Sequence, residues 1–349
     1  MKILEINTEK TWRGGERQTL FGLQGFKELD HEVELLCLEN FPLHQKAKEA
    51  GYKCHTVSSH TGTISFFLKH GRKFDILHVQ TSKQLTYALL TKPFHRSKIV
   101  YARRVDFVPK GWLTQQKYNL CDKIICVSSA IQNILTKAGI TKNTTVIYDC
   151  VEEKKLNTER AKTFIESFGI KDKIIIGTTA ALVPHKDPMN LVRAINHLKT
   201  LRQDFIVLHF GEGPLKENVE AYIKEHQLEE YIRLNGFVKE VEDYFSVFNI
   251  FVMSSEEEGL GSSVLDAFTY KVPVVSTDAG GLAELVTGRG YIAEKRNPIS
   301  LAEALNEAMS NTTLTKSYIE KAHQYVSREL TIKAIHEKHL KVFNELLLT

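Results

Sequence analysis

The chain has 349 residues, 42% of them hydrophobic and 25% charged, with a net charge of +4. That length fits two domains with sizeable cores, and the composition excludes a disordered, collagen-like or disulfide-stapled chain. No apolar run is long enough to span a bilayer, and no basic run interleaved with aromatics points to nucleic acid. The five cysteines, at 37, 54, 121, 126 and 150, are scattered, odd in number and without zinc-like spacing. They read as reduced, buried thiols of a cytoplasmic protein. The charge is uneven: residues 1–165 carry 26 Lys and Arg against 16 Asp and Glu, and residues 166–349 carry 20 against 26. A basic first half suits an anionic partner such as a membrane surface or a phosphate-bearing acceptor, or else is scattered solvated lysine.

The opening segment, MKILEIN, reads as a first strand rather than a signal peptide, because its apolar part is short and no cleavage site follows. Further strands are expected at 33–38, 75–80, 98–103, 123–128 and 145–149, then at 173–179, 205–211, 232–237, 250–254 and 272–277. Helical patterns between them include Arg17–Leu29, Ala130–Ala138, Pro188–Lys199 and Leu215–His226. Two such alternations predict two doubly wound parallel sheets, with ligands at the carboxyl ends of the strands. The charged stretch 152–172 reads as the linker, and Thr331–Leu348 as one amphipathic helix.

Candidate residues follow in chain order. Gly14 and Gly15, between the first strand and first helix, allow a phosphate or sugar to approach the backbone, or simply make a tight turn. No G-x-G-x-x-G fingerprint is present. In the segment ISFFLKHGR, 64–72, Phe66, Phe67 and Leu68 could enter a membrane surface while Lys69 and Arg72 meet headgroups; alternatively, the Phe pair packs in the core. His78 sits in the strand 75–80, either near a cleft or as a satisfied core residue. Arg103 and Arg104 close the strand 98–103 and could grip phosphate or carboxylate in forked geometry, or pair with Asp106 or Asp122. Lys186 follows the strand 173–179 and precedes a helix.

The most informative stretch is 254–285, SSEEEGLGSSVLDAFTYKVPVVSTDAGGLAEL. A carboxylate, Glu258, precedes the loop Gly259-Leu260-Gly261-Ser262. A second carboxylate, Asp266, stands eight positions later, about one turn into the helix. Small residues at a helix start let backbone N–H groups approach an anion. A sugar, a diphosphate and a ribose could be held in a row.

This stretch resembles the donor-binding signature of family 4 retaining nucleotide-sugar glycosyltransferases, an acidic pair separated by seven residues. The resemblance implies the GT-B fold: two facing Rossmann-like domains, 1–165 on the acceptor side and 166–330 on the donor side. The C-terminal helix, 331–349, would cross back to the first domain. It implies that Glu258 contacts the donor sugar and Asp266, where Glu is usual, the ribose. Lys186 would offset charge on the departing diphosphate. The Arg usual at Ala181 is missing, so Arg103 or Arg104 is the candidate replacement, with Arg104 placed among the catalytic groups. Gly14 and Gly15 would touch the donor phosphate or the acceptor. Gly236 and Phe237 would meet the nucleobase, and Gly280, Gly281 and Glu284 would support the donor loop. The chain lacks a D-x-D pair; with cations and amides in place, this implies a transfer without metal and without cofactor. The expected partners are a nucleotide-sugar donor, a saccharide or lipid-linked acceptor and an anionic membrane surface, at the inner face of the cytoplasmic membrane. The expected setting is cell-envelope polysaccharide or lipopolysaccharide assembly. A nucleotide-sugar 2-epimerase of the same fold and a donor-binding, non-catalytic homologue are the alternatives.

Overall fold

The structure, a computed structural model, describes residues 1–348. The chain divides into two compact units, Met1–Cys150 with the segment from Glu329 onward, and Val151–Arg328. In the first, strands β1 (Lys2–Ile6), β2 (Glu32–Leu38), β3 (Cys54–Val57), β4 (Ile76–Val79), β5 (Lys98–Arg103), β6 (Lys123–Cys126) and β7 (Thr144–Val146) form a parallel sheet. Its order is β3-β2-β1-β4-β5-β6-β7. In the second, β8 (Ile174–Thr179), β9 (Phe205–Phe210), β10 (Ile232–Leu234), β11 (Ile250–Met253), β12 (Val274–Thr277) and β13 (Tyr291–Ala293) are likewise parallel. Their order is β10-β9-β8-β11-β12-β13. Helices cover both faces, so central strands are mostly apolar and buried; all six residues of β9, His209 included, are buried.

In each sheet the strand order reverses once, between β1 and β4 and between β8 and β11. Such a reversal point, at the carboxyl ends of the strands, is the place where open α/β sheets hold ligands. The expected strands are present with trimmed ends. The two that the sequence does not betray, β3 and β13, are short strands at sheet edges. Their alternation is half exposed or only three residues long, too little for a periodic signal.

Two expectations are corrected. The stretch 152–172 is not a bare linker. It contains the helix Thr158–Ser167, which belongs to the second unit. Asp243 accepts from the Asn157 backbone at 2.8 Å and from Arg160 at 3.2 Å, while Phe164 packs edge-on to Tyr244. Its charges face outward around a buried Ala161. The segment 64–72 does not present its phenylalanines to a membrane surface either; the alternative, a Phe pair in the core, is what the structure has. It lies in and just beyond the helix His60–His70, whose Phe66 and Phe67 are buried in the core, so that Leu68 is the exposed large apolar side chain of the segment, beside exposed Lys69 and Arg72.

The C-terminal helix Ile332–Leu347 packs on the helix Gly14–Glu28 of the first unit, with the Phe26 ring against His336 and Phe343. Four of the cysteines are buried, Cys54 is half-buried, and all five are free thiols.

Candidate active site

At the second sheet's reversal point, the loop after β8 and the loop after β11 are clasped together. Ser254 Oγ donates to the carbonyls of Lys186 and Asp187, both at 3.1 Å. The backbone N–H groups of Glu256 and Glu257 donate to the His185 carbonyl at 3.0 and 3.1 Å. Lys186 itself sits at the end of a tight turn, Pro184–Lys186, before Asp187 caps the helix Pro188–Leu201 by accepting from Asn190 N–H at 3.0 Å. This scaffold brings the Lys186 ammonium onto the Glu258 carboxylate in a direct ion pair, both side chains largely shielded from solvent. Ser255 Oγ reaches the same Glu258 oxygen at 3.5 Å. Two residues 72 positions apart in sequence, each selected for a different role toward a donor, are thus in contact.

Beyond Glu258, the chain passes through Gly259, Leu260 and Gly261 into the helix Ser262–Thr269. Ser263 Oγ donates to the Thr179 carbonyl at 3.3 Å, fixing this helix start to the end of β8. Asp266 lies one turn in, with Asp266 and Leu260 both buried. Gly280 and Gly281 cradle the loop from behind. A methyl group added at Gly280 would lie 2.3 Å from the Glu258 carbonyl oxygen, and at Gly281 2.2 Å from that of Gly259. Gly281 N–H donates to the Glu258 carbonyl at 2.9 Å. No side chain fits this approach, so the glycine pair sets the position of Glu258 through its backbone. Glu284 is in the following helix, Gly281–Val286.

Gly236 bridges Gly211, just after β9, its carbonyl accepting from Gly211 N–H at 2.8 Å between the loops of adjacent strands. Next to it Phe237 is 65% exposed, an unusual position for a large aromatic side chain and an open face for a planar group. His209, near the end of β9, is buried, and burial holds its imidazole down to about 4.

The first sheet treats its candidates differently. Gly14 and Gly15 open the helix Gly14–Glu28 after β1, with Glu16 capping it by accepting from Arg13 N–H at 2.8 Å. They are helix-start residues rather than a tight turn. A methyl group at Gly15 would meet nothing within 4 Å. Arg103 is not positioned as a phosphate grip. It is fully buried, donates to Tyr118 Oη at 2.7 Å and to the Phe107 carbonyl, and stacks on both rings. Arg104 pairs with neither Asp106 nor Asp122. It donates to Asp149 at 3.0 Å and to Gln80, which in turn donates to the buried Glu5 at 2.8 Å. His78 is a buried core residue, its Nδ1 2.7 Å from Glu5 and its Nε2 without a hydrogen-bond partner among the described residues. Asp149 and Gln80 are partners that no motif singles out; the only sequence signal is that both stand near carboxyl ends of strands.

Two family models lie side by side on this chain: "Glycosyltransferase Family 4" over residues 12–155 and "Glycosyl transferases group 1" over residues 160–325. The chain belongs to the family 4/group 1 glycosyltransferases of GT-B fold. It is 30% identical over 208 residues to an uncharacterized glycosyltransferase of Methanocaldococcus jannaschii, a match covering 58% of this chain and 54% of that protein. It is 23% identical to the O-antigen biosynthesis glycosyltransferase WclY of Escherichia coli, over 90% of both chains. The fold is that of Anabaena HepE, crystallised with UDP and glucose. The two superpose with a TM-score of 0.86 over 99% of this chain and 100% of the other, at 16% identity. The glycosyltransferase families match both compact units, and the site residues above lie within the matched spans.

Proposed function

We propose that this glycosyltransferase moves a hexosyl or related sugar from a nucleotide-sugar donor to a hydroxyl of a saccharide or lipid-linked acceptor. Transfer retains the anomeric configuration, needs no metal and serves assembly of a cell-envelope polysaccharide at the inner face of the cytoplasmic membrane. The observation that carries the reading is the Lys186–Glu258 pair at the reversal point of the second sheet, beside the start of the helix Ser262–Thr269. When a donor binds, its diphosphate draws the ammonium and the helix-start N–H groups, and the freed Glu258 carboxylate accepts from sugar hydroxyls. Asp266 takes the ribose and Phe237 the base. Arg104, held by Asp149 and Gln80, is assigned to the acceptor or diphosphate charge. That HepE was crystallised with UDP and glucose, and that WclY is named for O-antigen synthesis, support the choice of donor class and setting.

In the reaction the bond from the anomeric carbon to the diphosphate oxygen breaks, and the acceptor oxygen bonds to that carbon on the same face. The acceptor proton passes to the departing diphosphate. No protein nucleophile is required; positioning and charge stabilisation carry the rate. A thermal-shift panel of UDP-, GDP- and ADP-sugars tests donor binding, since a ligand at a hundredfold excess over Kd raises stability by about 2.7 kcal/mol. The anomeric proton coupling of the isolated product tests retention. Inversion at that carbon, or activity lost in EDTA and restored by Mn²⁺, would refute the respective part.

A further inference from the structure

Glu5 is the exception in its strand. β1 reads Lys-Ile-Leu-Glu-Ile and its last four residues are buried, so a carboxyl group lies inside an otherwise apolar run. Burial of such a group costs free energy unless it is hydrogen-bonded, which makes its partners informative. Glu5 stands next to last in β1, in register with His78 of β4, and these two strands flank the point where the first sheet's order reverses. Its Oε1 lies 2.7 Å from His78 Nδ1, and its Oε2 accepts from Gln80 Nε2 at 2.8 Å.

The surroundings are shaped to admit this carboxyl group. The helix Gly14–Glu28 carries glycine at 22 and 25, three apart and so on one face. A methyl group at Gly22 would lie 2.7 Å from Glu5 Oε1, and one at Gly25 would lie 2.3 Å from His336 Nδ1. Glycine inside a helix weakens it relative to alanine, so this helix gives up stability at the two places where Glu5 and His336 approach. His336 and His339 of the C-terminal helix are buried, and their Nδ1 atoms donate to the carbonyls of Ile332 and Ile335 at 2.7 and 2.9 Å. The His339 ring lies 5.4 Å from that of His78. Glu5, His78, Gln80, Arg104, Asp149 and His336 line one cavity within the first unit.

From this base the contacts lead to Arg104. Gln80 Oε1 accepts from Arg104 Nη1, and Asp149 Oδ1 accepts from Arg104 Nε at 3.0 Å. An amide side chain has one donating and one accepting end. The Glu5 carboxylate accepts from the donating end of Gln80, and this turns the accepting end towards Arg104. Nη2 of Arg104 has no hydrogen-bond partner among the described residues, and its side chain is 21% exposed. A planar guanidinium held at two nitrogens presents the third in a fixed direction. We propose that Glu5 is a positioning residue for the transfer reaction. It orients the Gln80 amide, and the amide fixes the guanidinium of Arg104. This rests on the transfer reading above only for the role of Arg104.

The test joins a spectroscopic reading to a double-mutant cycle, both on the full chain. In protein carrying isotope-labelled arginine, the Arg104 Nε–H resonance is assigned by its loss in Arg104→Lys. Its exchange with water should rise ~10-fold or more in Glu5→Gln, where the amide of Gln80 is free to turn over. Gln80→Leu leaves the Glu5–His78 contact in place, should give the same rise, and serves as the second variant where Glu5→Gln does not fold. The rate is read as nucleoside diphosphate released from UDP-, GDP- or ADP-glucose. Glu5→Gln, Gln80→Leu and Arg104→Lys should each lower it by roughly 10-fold or more. Glu5→Gln added to Arg104→Lys should lower it no further, because both act through one group. Unchanged exchange in the two folded variants would overturn the positioning itself. Additive losses of rate would do the same, since they mark a structural role for Glu5. A wild-type rate in Arg104→Lys, with the exchange raised as expected, would overturn the proposal through the role given to Arg104 alone. The exchange is read without turnover, so the two failures are separate results.

Discussion

Each unit carries a Gly-Gly pair at a helix start, and the two pairs do opposite things. Gly280-Gly281 is packed against the backbone of Glu258 and Gly259, with no room for a methyl group. Gly15 opens into free space. The same dipeptide is a cradle in one unit and an open approach in the other. The candidate charges divide in the same way. In the second unit Lys186 and Glu258 converge on each other at the strand reversal point. In the first, Arg103 and Arg104 are engaged by Tyr118, Phe107, Gln80 and Asp149. A charged residue at a strand's carboxyl end is therefore a candidate, and its partners decide whether it faces a ligand or supports a loop.

The largest effect should come from Glu258. Glu258→Gln keeps the shape and removes the charge, so kcat should fall ~10²-fold or more, the size of one lost transition-state contact. Turnover at the wild-type rate with a confirmed donor would remove this residue from the site. Gly280→Ala comes next. Its φ of 47° and its contact with the Glu258 carbonyl both oppose a side chain, so the variant should lose about 2–3 kcal/mol in denaturant unfolding. An unchanged unfolding midpoint would show that the cradle yields without cost.

The pH dependence of stability is a property the two units share. Burial holds His336 down to about 4, and holds His339 well below its ordinary value, in the C-terminal helix of the first unit; it holds His209 down to about 4 in the second. His336 and His339 face Glu5, His78, Glu28 and Arg104, so their balance of neighbouring charge is mixed and desolvation leads. Each is neutral when folded and protonates more readily when unfolded. The stability they confer is thus complete above about 6.5 and is lost as the pH falls towards 4, by up to about 1.4 kcal/mol per pH unit for each histidine. His336→Gln should flatten that slope between pH 6.5 and 4 in chemical denaturation. A steeper slope in the variant would reverse the sign argued here. Gly15→Ala should have the smallest effect on stability, neutral or stabilising by about 0.5–1 kcal/mol, because the helix gains a better former and meets no obstacle. A raised KM in that stable variant would mark Gly15 as a place where substrate approaches the backbone.

The alternation of apolar runs and helical patterns was enough to read both parallel sheets from the sequence, because buried central strands are nearly continuous in Ile, Val and Leu. The edge strands β3 and β13 were not legible, since a short, half-exposed strand has no strong period. Glu258, Lys186 and the glycine loop were legible as a set because their spacing is local or follows strand ends. Their direct pairing was not, as it depends on the Ser254 and His185 contacts that bring two distant loops together. The burial of Arg103 was illegible for a similar reason: its acceptors, Tyr118 and the Phe107 carbonyl, are set by how the loop 104–111 folds back.

Nucleotide titration of wild type, Lys186→Ala and Glu258→Gln, by calorimetry with bare UDP, GDP and ADP, tests the donor site most directly. Lys186 should bind the diphosphate only after leaving Glu258. Lys186→Ala should therefore weaken the preferred nucleoside diphosphate by ~10-fold or more, the scale of one charge-assisted contact. Glu258→Gln should leave that affinity unchanged or tighten it, while still lowering kcat ~10²-fold or more. Equal weakening by both substitutions, or none by Lys186→Ala, would contradict the assignment of ammonium to diphosphate and carboxylate to sugar.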